Sequence, residues 1–253
     1  MKQPDKAPAA TLAGLLEHLA GHVADLQECG AREIYRARRP APAVRAPTTT
    51  AIMPDAPVAA AAADTLAGLA AEIARCKRCA LHRTRTQTVP GQGNLHPELM
   101  FVGEAPGEDE DLRGEAFVGR AGQLLTRMIE AMGFTRSEVF IGNILKCRPP
   151  NNRKPERAEM QVCLPFLKAQ IAALRPRVIV ALGATAVEGL LQPGPEFRIS
   201  RVRGHWLEFD GIPLMPTYHP SYLLRNPAAK KDVWIDMLQV LQRLGRQPPP
   251  RTA

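Results

Sequence analysis

The sequence predicts an α/β protein with a largely parallel sheet. Strand-like and helix-like segments alternate between residues 64 and 244, the order expected when helices connect parallel strands. Residues 178–183 form a continuous apolar run, which is typical of a strand buried on both faces. Residues 99–103, another strand-like run, lead directly into a glycine-rich turn.

The strands can be assigned from short apolar runs that are bounded by turn residues. The runs are residues 99–103, 139–145 and 178–183. Residues 206–216 predict two further strands that are joined by the Asp210-Gly211 turn, since Asp-Gly is a strong hairpin signal.

The helices between these strands show helical spacing of apolar residues. They are predicted at residues 123–132, 155–174, 184–191 and 233–244. Gly133 ends the first helix and Pro155 opens the second. In such folds the functional site lies at the carboxyl ends of the strands, so we expect it after Val102, at Asn143 and after Met215.

Four regions are predicted along the chain. Residues 1–39 are an N-terminal extension with an amphipathic helix that stops before Pro40. Residues 40–63 are a disordered linker, because residues 36–63 contain eleven Ala and five Pro and almost no large apolar side chain. Residues 64–244 are the compact domain, which opens at the N-cap candidate Asp64, and residues 245–253 are a disordered tail.

The composition favours a polyanion as partner. The formal net charge is +8, and each phosphate that a basic side chain neutralises releases counterions. A basic protein without such a partner is the alternative. The sequence has neither an apolar run long enough to span a bilayer nor an export signal at its start, so we expect a cytoplasmic protein without a membrane partner.

Five cysteines, an odd number in a chain without an export signal, favour metal ligands or free thiols over disulfides. Four of them lie in the compact domain: Cys76, Cys79, Cys147 and Cys163. The first two form a C-x2-C pair, and Cys29 in the N-terminal helix is a bystander. Four thiolates bind zinc or an iron–sulfur cluster, and the spacing alone leaves the metal open. Two buried cysteines beside a chance C-x2-C pair are the remaining alternative.

Four segments at the predicted strand ends carry polar or glycine-rich motifs. They are Gly-Glu-Ala-Pro-Gly-Glu-Asp-Glu-Asp at 103–111, Phe-Val-Gly-Arg-Ala-Gly at 117–122, Gly-Asn-Ile-Leu-Lys-Cys-Arg-Pro-Pro at 142–150 and Thr-Tyr-His-Pro-Ser-Tyr-Leu-Leu-Arg-Asn-Pro at 217–227. Each alone has an ordinary explanation: a turn, a core aromatic at Phe117, or a hydrogen-bonded structural histidine at His219.

In this order, with the cysteines interleaved, the motifs resemble the type-4 uracil-DNA glycosylase family over residues 64–244. The resemblance implies a three-layer α/β/α sandwich around a four-stranded, mainly parallel sheet. It also implies a 4Fe–4S cluster on Cys76, Cys79, Cys147 and Cys163, and removal of uracil from single- or double-stranded DNA to leave an abasic site. We expect a monomer, with the N-terminal helix either docking a protein partner or forming a weakly folded extension.

The resemblance assigns the uracil pocket to Gly103, Ala105, Phe117, Asn143 and His219. Phe117 would stack on the base, and the amide of Asn143 complements N3–H and O4 of uracil. His219 would donate a hydrogen bond to O2, where negative charge develops. Other glycosylase families place Asp or Asn where Ala105 stands. Because alanine cannot act on water, Glu104 is expected to orient the attacking water and to stabilise the sugar cation.

Ser221, Leu223, Leu224 and Arg225 are assigned to DNA, the last three as an apolar and basic tip that fills the gap left by the flipped base. Residues 151–157 contain no histidine, unlike a related group that traps DNA covalently, so we expect turnover. The alternative is that the protein binds nucleic acid without catalysing a reaction, and that a metal site stabilises its fold. It explains the charge and the cysteines but not the carboxylate, amide, aromatic ring and histidine at the strand ends.

Overall fold

The structure, a computed structural model, describes residues 56–250, and describes side chains from residue 62. Six strands form one sheet, in the order β1-β3-β2-β4-β6-β5. They are β1 (Gln92–Gly93), β2 (Leu99–Gly103), β3 (Phe140–Asn143), β4 (Val178–Leu182), β5 (Leu207–Phe209) and β6 (Ile212–Thr217). The central strands β3, β2, β4 and β6 are parallel, and the short edge strands β1 and β5 are antiparallel to their neighbours.

The α/β class and the parallel sheet are confirmed, whereas the strand count of four is wrong. The four parallel strands form the predicted core, and two short antiparallel strands extend it. β1 pairs Gln92 with Ile141 and Gly93 with Phe140. Two residues are too short a run to show the alternation that identifies a strand, so only the pairing with β3 reveals β1.

Eight α-helices surround the sheet in the described part of the chain. They are α1 (Ala56–Arg75), α2 (Glu108–Arg113), α3 (Arg120–Ala131), α4 (Arg157–Leu174), α5 (Ala184–Leu191), α6 (Ile199–Val202), α7 (Pro220–Arg225) and α8 (Lys230–Leu244). The bounds of α5 agree with the prediction, and α8 begins three residues earlier. The short helices α2, α6 and α7 were not predicted, because one or two turns carry too little periodicity.

The predicted linker is wrong at its C-terminal end. Helix α1 begins at Ala56 rather than at Asp64, and it includes the alanine run of residues 59–63. Alanine has the highest helix propensity, so an alanine-rich segment is a helix former once its neighbours are packed. Leu66 and Ile73 anchor the helix in the core. The predicted N-terminal helix, Cys29 and residues 40–55 of the linker lie outside the described residues.

The two faces of the sheet are covered by different helices, which gives the three predicted layers. In β4, Val178, Val180 and Leu182 pack on the side of α3, α7 and α8. Ile179 and Ala181 pack on the other side with α1, α4 and α5. This alternation explains the continuous apolar run, since every residue of a strand buried on both faces meets a core. None of the helices in residues 56–250 is long and apolar enough to cross a bilayer.

Candidate active site

A cavity of about 650 Å³ opens at the carboxyl edge of the parallel strands. Its walls come from the turn after β2, the loop before α3, the end of β3, the start of α5 and the segment that leads into α7. Seven of the predicted site residues line it: Glu104, Ala105, Phe117, Asn143, His219, Ser221 and Arg225. The structure therefore gathers segments that are far apart in sequence, as the strand-end rule predicts.

Gly103, the last residue of β2, lets two side chains of the cavity approach the backbone. A Cβ atom at this position would lie 2.4 Å from Oδ1 of Asn143 and 2.5 Å from Cζ of Phe117. Both distances are shorter than any nonbonded carbon contact allows, so any larger residue displaces the amide or the ring. The role of Gly103 in the site is therefore to leave room.

Asn143 presents a buried acceptor with no partner. The residue is 1% exposed, and its Oδ1 accepts no hydrogen bond from any residue that the structure describes. An unpaired buried polar atom costs about 1–3 kcal/mol. Because the atom lies in the wall of an open cavity, a donor on a bound ligand is the partner that removes this cost.

Lys146 fixes the backbone that carries Asn143. Its fully buried Nζ donates to the carbonyl oxygen of Asn143 at 3.0 Å, to Oε1 of Gln170 at 2.7 Å and to the carbonyl oxygen of Pro90 at 3.1 Å. Burial lowers the pKa of Lys146 to about 8. Sequence reasoning did not identify this residue, because a lysine beside a strand is ordinarily assigned to the surface.

Phe117 is held in an unusual conformation. Its φ of 55° lies in the left-handed region, which costs energy for a residue other than glycine. The guanidinium of Arg136 donates to the carbonyl oxygen of Phe117 at 3.2 Å and to that of Ala116 at 2.6 Å. The ring centroid lies 5.7 Å from that of His219. The loop is therefore pinned so that the aromatic ring faces the cavity beside the histidine.

Glu110 ties this loop to the turn after β2. Its Oε1 accepts from the backbone N–H groups of Val118 and Gly119, each at 2.9 Å, and its Oε2 accepts from Gly107 N–H at 3.0 Å. With three backbone donors bound, this carboxylate serves the geometry of the site. The sequence does not reveal this role, because Gly107 lacks the hydroxyl of the usual Ser/Thr-x-x-Glu capping pattern.

Glu104 supplies a carboxylate to the cavity from the turn after β2. Burial raises its pKa, while a hydrogen bond from the Thr185 side chain and the charge of Lys154 act in the opposite direction. Its neighbour Ala105 lines the same cavity without any ionisable group. The raised pKa means that this carboxyl group binds a proton more tightly than an exposed glutamate does.

His219 is the N-cap of α7, and its tautomer follows from its partners. Its Nδ1 accepts from the backbone N–H of Ser221 at 3.1 Å and lies 2.8 Å from the Ser221 hydroxyl. A backbone N–H only donates, so a neutral ring carries its proton on Nε2. Burial and the charge of Arg225 lower the pKa of His219 to about 4. At neutral pH the ring is therefore an uncharged donor through Nε2.

A buried polar network fixes the end of β6, which leads into His219. Thr217 donates from its hydroxyl to Oδ2 of Asp236 at 2.6 Å. Arg203 donates to the same carboxylate through Nε at 3.1 Å. Because Asp236 is fully buried, this pairing is what makes its charge tolerable, and it locks α8 to the strand that positions the histidine.

The predicted DNA-contacting tip is wrong for one of its leucines. Leu223 is 1% exposed and packs in the core with α3 and α8, so it cannot enter a base stack without leaving that core. Leu224 is half-buried and packs against the same cluster. The residues of α7 that face outward are Tyr222 and Arg225. The sequence did not reveal α7, and the helix turn determines which side chains point inward.

The cysteines Cys76, Cys79, Cys147 and Cys163 line one small cavity between α1, the segment after β3 and α4. Burial raises the pKa of the Cys147 thiol and raises that of Cys163 to about 11. Arg85 donates to Sγ of Cys147 at 3.2 Å. Within residues 56–250 no group of three His, Cys, Asp or Glu side chains is placed to hold a single metal ion.

Several residues that were not predicted from the sequence also line the active-site cavity. They are Pro149, Asn152, Arg153, Thr185, Ile199, Ser200, Tyr218 and Tyr222. The strand-end rule applies to Thr185 as well, because this residue follows β4, a parallel strand whose carboxyl end also meets the cavity. Pro149, Tyr218 and Tyr222 lie within two of the quoted motifs, but no role was predicted for them. The others reach the cavity from loops and short helices that leave no pattern in the sequence.

Comparison with known proteins assigns the family. Residues 90–242 match the family model of the uracil DNA glycosylase superfamily. The chain is 50% identical over 155 residues to the type-4 uracil-DNA glycosylase of Thermotoga maritima, covering 61% of this chain and 80% of that protein. It is 43% identical over 192 residues to that of Saccharolobus solfataricus (73% and 89% covered) and 42% over 192 residues to that of Archaeoglobus fulgidus (74% and 96%).

Proposed function

This chain belongs to the uracil DNA glycosylase superfamily, and from that membership we propose how its cavity excises uracil from DNA. The enzyme hydrolyses the N-glycosidic bond of a flipped deoxyuridine nucleotide and leaves an abasic site, the first step in repairing deaminated cytosine. The observation that carries the assignment of roles is the buried, partnerless Oδ1 of Asn143, which lies in the cavity wall beside Phe117 and His219.

Asn143 reads the base. Uracil offers N3–H as a donor and O4 as an acceptor, and the side-chain amide offers one acceptor and two N–H donors. The free Oδ1 receives N3–H, and the amide N–H donates to O4. Cytosine has the reverse pattern at these two positions, so binding it leaves buried groups unpaired at about 1–3 kcal/mol each. The bond from Lys146 to the main-chain carbonyl oxygen of Asn143 fixes the backbone that carries this side chain.

Phe117 holds the base by stacking. A flipped base exposes both of its faces, and an aromatic ring gives one of them a flat apolar surface. Arg136 donates to the carbonyl oxygen of Phe117, and Glu110 accepts from the backbone N–H of the next residue, Val118. The ring is therefore in position before the base arrives, and little conformational entropy is lost on binding.

His219 stabilises the leaving group. Cleavage of the glycosidic bond places negative charge on uracil, mainly on O2. The neutral ring donates from Nε2, while Nδ1 is occupied by Ser221, so the donor is fixed before the charge develops. A neutral donor is suited to this task because it does not need to lose or gain a proton during cleavage.

Glu104 serves the sugar and the water. Positive charge develops on C1′ as the bond breaks, and a nearby carboxylate stabilises it, as in other reactions through an oxocarbenium ion. The carboxylate then orients a water molecule for attack on C1′ and accepts its proton. The burial that raises the pKa of Glu104 suits a general base, since it strengthens its affinity for that proton. Ala105 offers no group for this step.

The cysteine cavity is proposed to hold a 4Fe–4S cluster. The donor set consists of four thiols, the ligands that such clusters use. Burial raises the pKa of the Cys147 and Cys163 thiols, so both sites are shielded from water. All four thiols line the same cavity, which supports one shared cluster. When bound, the cluster supplies covalent ties between α1, the segment after β3 and α4.

Single- or double-stranded uracil-containing DNA is the proposed partner, and a monomer is sufficient for the reaction. Every group assigned above comes from one chain, so no second subunit is needed to complete the site. The formal charge of +8 favours attraction to the phosphate backbone.

Uracil release is the direct test of this function. Purified protein that carries its cluster is incubated with oligonucleotides containing one uracil, in EDTA, and free uracil and the abasic product are measured. We expect multiple turnovers, an unbroken strand before alkali treatment, and no release from matched cytosine or thymine oligonucleotides. An intact uracil oligonucleotide in the presence of tight DNA binding would support the non-catalytic binding module instead.

Metal analysis tests the cluster. Anaerobically purified protein is expected to be brown and to contain iron and acid-labile sulfide, because four thiolates at this site favour a cluster. Replacing Cys147 with serine is expected to lower the soluble yield and iron content together, since metal ligation contributes folding free energy. Stoichiometric zinc without iron would contradict the assignment. A Thr84→Ser protein, altered near the cavity but not at a ligand, is the matched control.

A further inference from the structure

We propose that Tyr222 is the side chain that enters the base stack when the uracil nucleotide is flipped out of a duplex. The proposal rests on the function assigned above. Flipping leaves a gap in the stack, and many DNA-binding proteins fill or open such steps with an inserted side chain. The leucine at position 223 is unavailable for this role because it belongs to the core.

Tyr222 is placed at the rim of the active-site cavity. It is 37% exposed, the largest exposure of any Phe, Trp or Tyr side chain among the described residues. It lies on α7, three residues after His219 and three before Arg225, and all three residues line the same cavity. A nucleotide whose base contacts His219 therefore has its neighbours in the strand close to Tyr222.

The ring of Tyr222 is supported from behind. Its centroid lies 4.8 Å from that of Tyr218, with 36° between the ring planes. The guanidinium of Arg203 lies over the Tyr218 ring, 5.4 Å from its centroid. Arg203 is itself anchored to the buried Asp236. Tyr222 is thus the exposed end of a packed series of side chains, and a base that stacks on it meets a supported aromatic surface.

Arg225 completes the surface. It is exposed at the end of α7, and no ion pair involves it within residues 56–250. An aromatic ring beside an unpaired cation is the combination used to hold stacked bases and their phosphates. The structure thus provides a stacking group and a phosphate contact on one short helix.

We expect the loss of the Tyr222 ring to affect uracil release more strongly on duplex DNA than on single-stranded DNA. In a duplex the base must leave a paired stack, so the loss of the inserted ring slows or reverses flipping. A single strand has no partner strand to pull the base back. Removing one aromatic–base stack costs about 5- to 150-fold in binding. We therefore expect Tyr222→Ala to lower the single-turnover rate about 10- to 100-fold on duplex DNA and about threefold or less on single-stranded DNA.

The experiment compares single-turnover rates at saturating enzyme on the same uracil oligonucleotide, alone and in a duplex. A 2-aminopurine beside the uracil reports unstacking. Tyr222→Phe keeps the ring and is expected to match the wild type on both substrates, with the same fluorescence rise. Tyr222→Leu is expected to be intermediate on duplex DNA. Leu238→Ala, which alters a side chain of 38% exposure on α8 away from the cavity, is the matched control and is expected to change neither rate.

Three outcomes would overturn the proposal. A wild-type duplex rate and fluorescence rise for Tyr222→Ala would show that the ring does not enter the stack. An equal loss on both substrates would place Tyr222 in the base pocket itself. A duplex-specific loss for Leu224→Ala but not for Tyr222→Ala would assign the insertion to leucine. The melting temperatures of all variants exclude unfolding as the cause, and failure of the wild type to release uracil would refute the proposed function instead.

Discussion

Replacing Glu104 with glutamine is expected to lower the single-turnover rate of uracil release by about 10²- to 10³-fold, the loss typical of removing one electrostatic stabiliser. Glutamine keeps the shape of the side chain and its bond with Thr185 but carries no charge for the sugar cation and accepts no proton from water. DNA affinity is expected to change little, because a carboxylate is not attracted to phosphates.

The pH dependence of the uracil-release rate provides a second test of the role of Glu104. Burial raises the pKa of Glu104, and the carboxylate is the active form, so the wild-type rate should fall as the pH drops through this raised value. His219, with its pKa lowered to about 4, stays neutral over this range and does not cause the loss. Glu104→Gln is therefore expected to flatten the acid limb of the rate profile.

The melting temperature of the Glu104→Gln variant distinguishes a catalytic role of Glu104 from a structural one. A carboxyl group whose pKa is higher in the folded protein contributes most to stability when protonated, and that contribution is lost as the pH rises through the folded pKa. Glu104→Gln is therefore expected to keep or raise the melting temperature at pH 8. If Glu104 only capped the turn, the same change would lower the melting temperature and leave the rate nearly unchanged.

The control for Glu104 is Glu130→Gln, which removes an exposed carboxylate on α3 outside the cavity and should leave both readouts unchanged. A near wild-type rate for Glu104→Gln, with the cluster and DNA affinity retained, would move the role to another acid of the same segment. Glu108 and Asp109 would then be tested first, since the carboxylate of Glu110 is occupied by three backbone N–H groups.

Changing Asn143 to aspartate is expected to lower the uracil rate by about 10⁴- to 10⁵-fold, the discrimination shown by sites whose buried hydrogen-bonding groups are left without a partner. The side chain keeps its size, so the close packing against Gly103 is preserved. A carboxylate, however, offers no donor to O4 of uracil. It accepts from N4 of cytosine, so the cytosine rate is expected to rise relative to the uracil rate.

The measurement for Asn143→Asp is the ratio of single-turnover rates on otherwise identical uracil and cytosine oligonucleotides. Each rate is taken at saturating enzyme, so that altered DNA affinity does not enter. An unchanged uracil rate would show that Asn143 does not contact the base edge. An equal fall on both substrates, with a lowered melting temperature, would show that the change disturbed the fold rather than the recognition.

Local patterns in the sequence were sufficient to predict the strands, helices and turns that neighbouring residues form among themselves. The apolar run of β4 and the helix α5 follow from hydrophobic periodicity. The hairpin between β5 and β6 follows from Asp210 and Gly211, which have φ values of 48° and 81° as the predicted turn requires. The grouping of Glu104, Asn143 and His219 followed from the strand-end rule together with the family resemblance.

The α/β class, the parallel core strands, the family and the segments that meet at the site are all predictable from the amino-acid sequence. Which side chain of a short helix faces solvent, as Leu223 and Tyr222 show, depends on packing in three dimensions, and so does the helical state of the alanine run before Asp64. The tertiary structure also revealed Glu110, Arg136 and Lys146, whose partners lie on other segments. The physical reason is the same in each case: burial and hydrogen bonding depend on neighbours in space, and neither leaves a periodic signal along the chain.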